Sequence, residues 1–165
     1  MNIHPIFVHF PIAFFTLYCI AELLRFSFIT RQVYWFYIKA SFVIVGSIAG
    51  LVLTIPTGIL ARVINVVGRS EQNIIVHEVF AIGTVVFFTF IALCYIVLWW
   101  EKAGLSKISS FKLKVAHSVI DTRTILFLAI IGLMLVGITG ALGGALVYGN
   151  NNDPFATFLT SILFK

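Results

Sequence analysis

Four long stretches of this chain contain no Lys, Arg, Asp or Glu, and they constrain the fold more than any other feature. They are residues 1–21, 40–61, 79–100 and 124–152. About 20 apolar helical residues span the hydrocarbon core of a bilayer, where only a helix satisfies its own backbone hydrogen bonds within one span. The sequence therefore predicts an all-α, up-down bundle in a single integral membrane domain, 1–165. We predict transmembrane helices at 6–25, 39–60, 76–100 and 124–148.

Composition excludes the other broad classes of protein. Hydrophobic residues make up 61% of the 165 residues and charged residues only 10%, against about 45–50% and about 25% in soluble domains. A soluble globular enzyme, a disordered chain and a disulfide scaffold are therefore excluded. The net charge is +5, but the cations flank apolar spans, which indicates contact with anionic lipid and not with nucleic acid. The N-terminal residues lack a basic region and a cleavage site, so we expect a retained first helix.

Basic residues are distributed unevenly over the two sides of the predicted bundle. One side, formed by loops 25–39 and 101–123, carries eight of them: Arg25, Arg31, Lys39, Lys102, Lys107, Lys112, Lys114 and Arg123. The other side carries three, Arg62, Arg69 and Lys165. Cytoplasmic loops are enriched in Lys and Arg, so both termini are predicted outside. The apolar tail 154–165 is too short to span, and we expect it at the outer interface. Glu22 and Arg25 are expected to pair at the inner interface.

Three of the four histidines are predicted at the outer end of the bundle. His4 and His9 lie at the start of the first helix and His77 at the start of the third, whereas His117 lies in the opposite loop. Imidazole in a span is costly and usually functional, and it serves haem ligation, metal ligation or proton handling.

The surroundings of these histidines suggest which two could act together. His9 is followed by Ala and Thr at positions +4 and +7, and His77 has the same spacing. These positions share a helix face, which favours His9 and His77 as two equivalent ligands facing each other. His4 with His77 remains a close alternative, and His4 would otherwise support the site from beside it.

Glycines in the second and fourth helices are predicted at the same level. Gly58 closes the second helix, and Gly143 and Gly144 lie near the end of the fourth, followed by Tyr148. Glycine inside a helix costs stability unless another group must approach closely. A flat macrocycle that lies against these glycines would explain why they are there. Gly58, Gly143, Gly144 and Tyr148 are therefore candidate cofactor-binding residues. Helix–helix packing is the alternative reason for the glycines.

Several short motifs resemble those of a bacterial family of small four-helix membrane proteins known only as a domain of unknown function. They are the start His4-Pro5-Ile6-Phe7-Val8-His9-Phe10-Pro11, Thr57-Gly58, His77, and Gly143-Gly144-Ala145-Leu146-Val147-Tyr148. The resemblance covers nearly the whole chain, but the acidic residue that often follows Thr-Gly is absent. It implies a bacterial inner membrane location. Relatives in this family occur beside Rieske and cytochrome c-type domains, so the resemblance also implies a redox role with a Rieske or cytochrome c-type partner.

These features lead to three hypotheses about function. The first is a membrane b-type cytochrome or cytochrome-like subunit, with one bis-histidine haem b near the outer face and a role in electron transfer. The second is a protein that handles copper, zinc or iron through the same histidines. The third is a non-redox scaffold or assembly subunit. An electron-transfer subunit is favoured over a complete enzyme, and quinone binding, oligomerisation and membership of a larger complex all stay open.

Overall fold

The computed structural model describes residues 4–24, 33–64, 71–104, 108–148 and 154–163, and in these ranges the chain is helical with short turns and no strand. Four helices are long and apolar enough to cross a membrane, at His4–Leu23, Tyr34–Ile64, Glu71–Ala103 and Thr122–Val147. The predicted all-α bundle of four spans is confirmed. The helices are α1 (His4–Leu23), α2 (Val33–Ala49), α3 (Ile55–Ile64), α4 (Glu71–Ala103), α5 (Ser110–Val119), α6 (Thr122–Tyr148) and α7 (Pro154–Leu163).

The second span contains a π-helical segment. Gly50–Thr54 separates α2 from α3, and the N–H of Ile55 bonds to the carbonyl of Gly50, five residues earlier. A π turn inserts one residue into a helix without breaking it. Pro56 follows immediately; because a proline ring clashes with the carbonyl four residues earlier in a regular helix, the looser turn accommodates it.

The four spans form a ring in which each packs against two neighbours. α1 contacts α2 and α6, and α4 contacts the same two helices, so α1 and α4 lie diagonally across the bundle. The core between them is aromatic: Phe15 stacks on Phe88 with ring centroids 4.0 Å apart, and Tyr18 packs edge-on against Tyr95. Large apolar side chains such as Val52, Val79 and Phe127 are exposed on the outer surface of the ring and contact the lipid bilayer.

The core also holds a buried ion pair far from the histidine end. Glu22 is fully buried and accepts a hydrogen bond from Lys39 at 2.8 Å. The hydroxyl of Tyr95 donates to the other carboxylate oxygen of Glu22. The expected partner, Arg25, lies outside the described residues. The carboxylate of Glu22 turns into the bundle, where the ammonium of Lys39 and the phenol of Tyr95 bond to it; the pair with Arg25 at the inner interface stays a prediction.

Two shorter helices lie at the ends of the bundle. α5 covers the basic segment 111–115 and packs Ala116 against Cys94 and Leu98 of α4. α7 carries the C-terminal tail and contacts α6, with Phe155, Phe158 and Ile162 exposed.

Candidate functional site

One end of the bundle opens into a cavity of about 500 Å³ between all four spans. This is the end at which α1 and α4 begin and α3 and α6 finish. Its walls are mainly apolar, and the polar residues that line it are His4, His9, Thr54, Arg62, His77, Glu78, Thr84 and Thr139. An apolar pocket of a few hundred Å³ with a few convergent polar groups is typical of a small-molecule or cofactor site.

His4 begins α1, and its ring is held between two residues of α3. Its Nδ1 lies 3.0 Å from the hydroxyl of Thr57. That hydroxyl donates its own proton to the carbonyl of Leu53 at 2.7 Å, so it accepts from Nδ1–H of His4. The lone pair of the imidazole is therefore assigned to Nε2. A Cβ on Gly58 would lie 3.2 Å from Cε1 of His4, so this glycine makes room for the ring.

His77 lies in the second turn of α4, and its ring also packs on a glycine of a neighbouring span. A Cβ on Gly143 of α6 would lie 3.1 Å from Cε1 of His77. The Nδ1 atom is buried and makes no hydrogen bond to the described residues, although the backbone of Thr139 lies close enough to interact with the imidazole. His4 and His77 line the same cavity. The structure therefore brings together two imidazoles from diagonal helices.

His9 is placed differently from His77. It borders the cavity, but it is exposed, and its Nδ1 donates to the carbonyl of Pro5 in its own helix. Ala13, one turn further on, is exposed as well, whereas Ala81 and Thr84 line the cavity. The spacing shared by His9 and His77 therefore does not place the two histidines in equivalent positions, because α1 turns that face toward the outside of the ring.

A different register makes α1 and α4 equivalent. Aligning His4 with His77 also aligns a phenylalanine three residues later and a Phe-Phe-Thr run ten residues later, within residues 4–16 and 77–89. In this register His9 matches Ile82, which is also exposed. The two hairpins, α1 with the second span and α4 with α6, are therefore matched halves.

Packing contacts repeat in the same register. Phe15 packs on Gly46 and Phe88 packs on Gly132, and in each pair a Cβ on the glycine would lie 2.7 Å from a ring carbon. Since Phe15 and Phe88 also stack on each other, an approximate two-fold axis runs between them along the bundle. The two stacked rings lie about 16 Å below the histidines, given a rise of about 1.5 Å per residue.

The π-helical segment accounts for the difference in length between the halves. The glycine that contacts phenylalanine and the glycine that contacts histidine are 12 residues apart in the second span, Gly46 to Gly58. They are 11 residues apart in α6, Gly132 to Gly143. The single extra residue falls where Gly50–Thr54 adopts the π conformation, so both glycines keep their contacts.

A threonine four residues before each histidine-contacting glycine bonds to the helix that carries the histidine. Thr54 donates to the carbonyl of Phe7 at 3.5 Å, a carbonyl whose usual partner is missing because Pro11 has no N–H. Thr139 pairs with the hydroxyl of Thr84 at 2.9 Å, and that hydroxyl donates to the carbonyl four residues earlier. In each half, a threonine hydroxyl thus ties the glycine-bearing helix to the histidine-bearing helix beside the cavity.

The remaining predicted site residues divide into three cases. Gly58 and Gly143 contact the imidazole rings of His4 and His77. The group that approaches these two glycines is therefore a histidine, whereas the sequence analysis predicted a macrocycle. Gly144 lines the cavity, and a Cβ there would meet nothing within 4 Å. The side chain of Tyr148 lies outside the described residues. Among the residues that the structure describes, no three His, Cys, Asp or Glu are grouped so that they could hold a metal ion.

Three residues of the site escaped the sequence reasoning. Thr57 entered only as part of the Thr57-Gly58 motif and Arg62 only as a basic residue of the outer side, while Glu78, next to His77 in the sequence, could either tune that histidine or simply face water. All three border the cavity or its histidines. The internal match at His4 and His77 was available in the sequence and would have favoured His4 over His9.

A family model described as a predicted membrane protein matches residues 1–151 of the chain. No curated protein and no solved structure matches it. The description states a membrane location and names no activity, so function has to be inferred from the site itself.

Proposed function

The chain belongs to the DUF2231 family of predicted membrane proteins, whose description names no activity. From the geometry of the site, we propose that the protein is a membrane b-type cytochrome or cytochrome-like subunit. His4 and His77 hold one haem b at the cavity, and the role is electron transfer. The observation that carries this proposal is the pair of imidazoles from diagonal helices, in matched positions, at one apolar cavity.

The donor set fits a haem better than a bare metal ion. Two imidazoles complete the axial coordination of haem iron, whereas zinc sites need three or four protein ligands. The described residues offer no group of three such ligands. The buried Nδ1 of His77 makes no hydrogen bond to the described residues, so His77 is a buried polar group for which a ligand in the cavity would supply a partner. The apolar walls suit a macrocycle that must be shielded from water.

The residues around the histidines orient the two rings. Thr57 accepts from Nδ1–H of His4, which leaves the lone pair on Nε2; such hydrogen bonds fix the tautomer and raise the basicity of a ligating histidine. Gly143 lets the Cε1 edge of the His77 ring approach α6 closely. When bound, haem supplies a one-electron couple, and two imidazole ligands leave no open position for oxygen chemistry.

The absorption spectrum of the purified full-length protein tests the proposal. We expect a sharp Soret band when it is oxidised and a narrow alpha band after reduction with dithionite, with one haem per chain. Tightly bound copper, zinc or iron without these bands would replace haem with the metal-handling hypothesis. A colourless, metal-free protein that also fails to bind added haem would contradict both.

Glycine variants in α6 test where the macrocycle lies. Gly143→Leu is expected to displace His77, because even a Cβ would lie 3.1 Å from its ring, and Gly144→Leu would fill the cavity. Overpacking of this kind costs about 1–3 kcal/mol, so haem affinity should fall about 10- to 100-fold. Gly137→Leu is the matched control, because Gly137 is exposed and a Cβ there meets nothing. Full haem content in both cavity variants would place the macrocycle elsewhere.

We also propose that the histidine end faces outward from a bacterial inner membrane, where a Rieske or cytochrome c-type protein would exchange electrons with it. The distribution of basic residues supports this orientation. The test uses single cysteines at two exposed positions on opposite sides of the bundle: Gln72, at the start of α4, and Ser109, just before α5. The background lacks the two buried cysteines, Cys19 and Cys94. An impermeant thiol reagent should label position 72 on intact cells; labelling of position 109 instead reverses the orientation.

A further inference from the structure

The mouth of the cavity carries a pair of full charges. Arg62 of α3 donates to Glu78 of α4 at 2.6 Å, and both side chains are partly exposed, 43% and 29%. Apart from the histidines, they are the only ionisable groups among the described residues that line the cavity. Arg62 follows Gly58 by four residues, so it lies one turn nearer the mouth than the glycine beneath His4.

These charges break the two-fold match of the site. In the register that aligns the halves, the position of Arg62 in α3 corresponds to Val147 in α6. The position of Glu78 in α4 corresponds to Pro5 in α1. The histidines, their glycines and the stacked phenylalanines below are matched, but among the described residues that line the mouth, Arg62 faces an apolar counterpart, Val147. Arg62 therefore gives a ligand held between the matched imidazoles a polar direction.

We propose that Arg62 binds a carboxylate on the edge of the ligand, in exchange for the carboxylate of Glu78. This inference rests on the proposed function and adds to it: the ligand is a macrocycle acid, bound with its carboxylates toward the mouth. After the exchange, the guanidinium of Arg62 still has one carboxylate partner, that of the ligand. The side chain of Glu78, which is already partly exposed, then turns to water. A carboxylate directed into the bundle would instead meet the aromatic floor at Phe15, where an unpaired charge is costly.

The test compares two probes on the full-length protein stripped of cofactor: iron protoporphyrin IX and its dimethyl ester, which lacks the carboxylates. Binding is followed by the Soret band. Arg62→Gln is expected to weaken binding of the free acid about tenfold, the loss expected for one hydrogen bond to a charged group. The ester should bind wild type and variant equally. Glu78→Gln should tighten binding of the free acid, because it removes the competing carboxylate, and Arg62→Lys should restore part of the affinity.

Arg123→Gln is the matched control, since Arg123 is an exposed arginine at the opposite end of the bundle; it should change neither affinity. Equal loss of both probes in Arg62→Gln would show that Arg62 supports the fold and would overturn the inference. Unchanged binding of both would overturn it too, while leaving the haem proposal intact. If neither probe binds the wild-type protein, the proposed function fails, and the inference fails with it.

Discussion

Replacing His77 by alanine is expected to abolish haem binding. The described part of the third span offers no second imidazole, and Glu78, the next residue, is paired with Arg62 at the mouth. Loss of one axial ligand from a bis-imidazole site removes the low-spin spectrum even where some haem is retained. The measurement is haem content per chain together with the position and width of the reduced alpha band.

Comparison of the four histidines makes this prediction discriminating. His4→Ala should have the same effect as His77→Ala, because the two rings occupy matched positions at the cavity. His9→Ala should keep a bis-imidazole spectrum, since His9 is exposed and bonded to its own helix. His117, which pairs with Glu101 outside the cavity, is the matched control. If His9→Ala loses haem and His4→Ala keeps it, His9 is the ligand that the helix-face spacing predicts, and the assignment of His4 from the structure is wrong.

Replacing Lys39 by alanine is expected to destabilise the bundle by about 3–5 kcal/mol, the usual cost of removing one member of a buried ion pair. Glu22 is fully buried and the ammonium of Lys39 is nearly so, so the variant removes a charge–charge contact of 2.8 Å from the core. The measurement is the fraction of folded protein that survives heating in detergent, followed by size-exclusion chromatography.

Two further variants separate the cost of an unpaired charge from the loss of packing. Lys39→Met with Glu22→Gln removes both charges and should recover much of the stability, because neither member of the ion pair then stays charged in the core. Glu101→Gln breaks the exposed pair with His117 and should cost less than about 1 kcal/mol. A Lys39→Ala variant as stable as Glu101→Gln would show that the buried pair contributes little.

The sequence alone determined the membrane architecture. Long charge-free stretches can only become helices in a bilayer, so the number of spans followed from the positions of residues such as Lys39, Arg62 and Arg123. The clustering of three histidines at one end followed as well, because depth along a helix is counted from its ends. The glycines at 58 and 143 were correctly placed at that level.

Only the tertiary structure decided which face of each helix turns inward. In a soluble protein, the polar side of a helix faces water, so the buried face can be read from the sequence. In this bundle the lipid-facing and core-facing sides of each helix are both apolar, so the distribution of hydrophobic residues does little to distinguish them. The choice between His4 and His9 therefore depended on the rotation of α1. That rotation is fixed by contacts between residues distant in sequence, such as Phe15 on Gly46. For the same reason Glu22 was placed at the interface, although packing with Lys39 and Tyr95 turns it into the core.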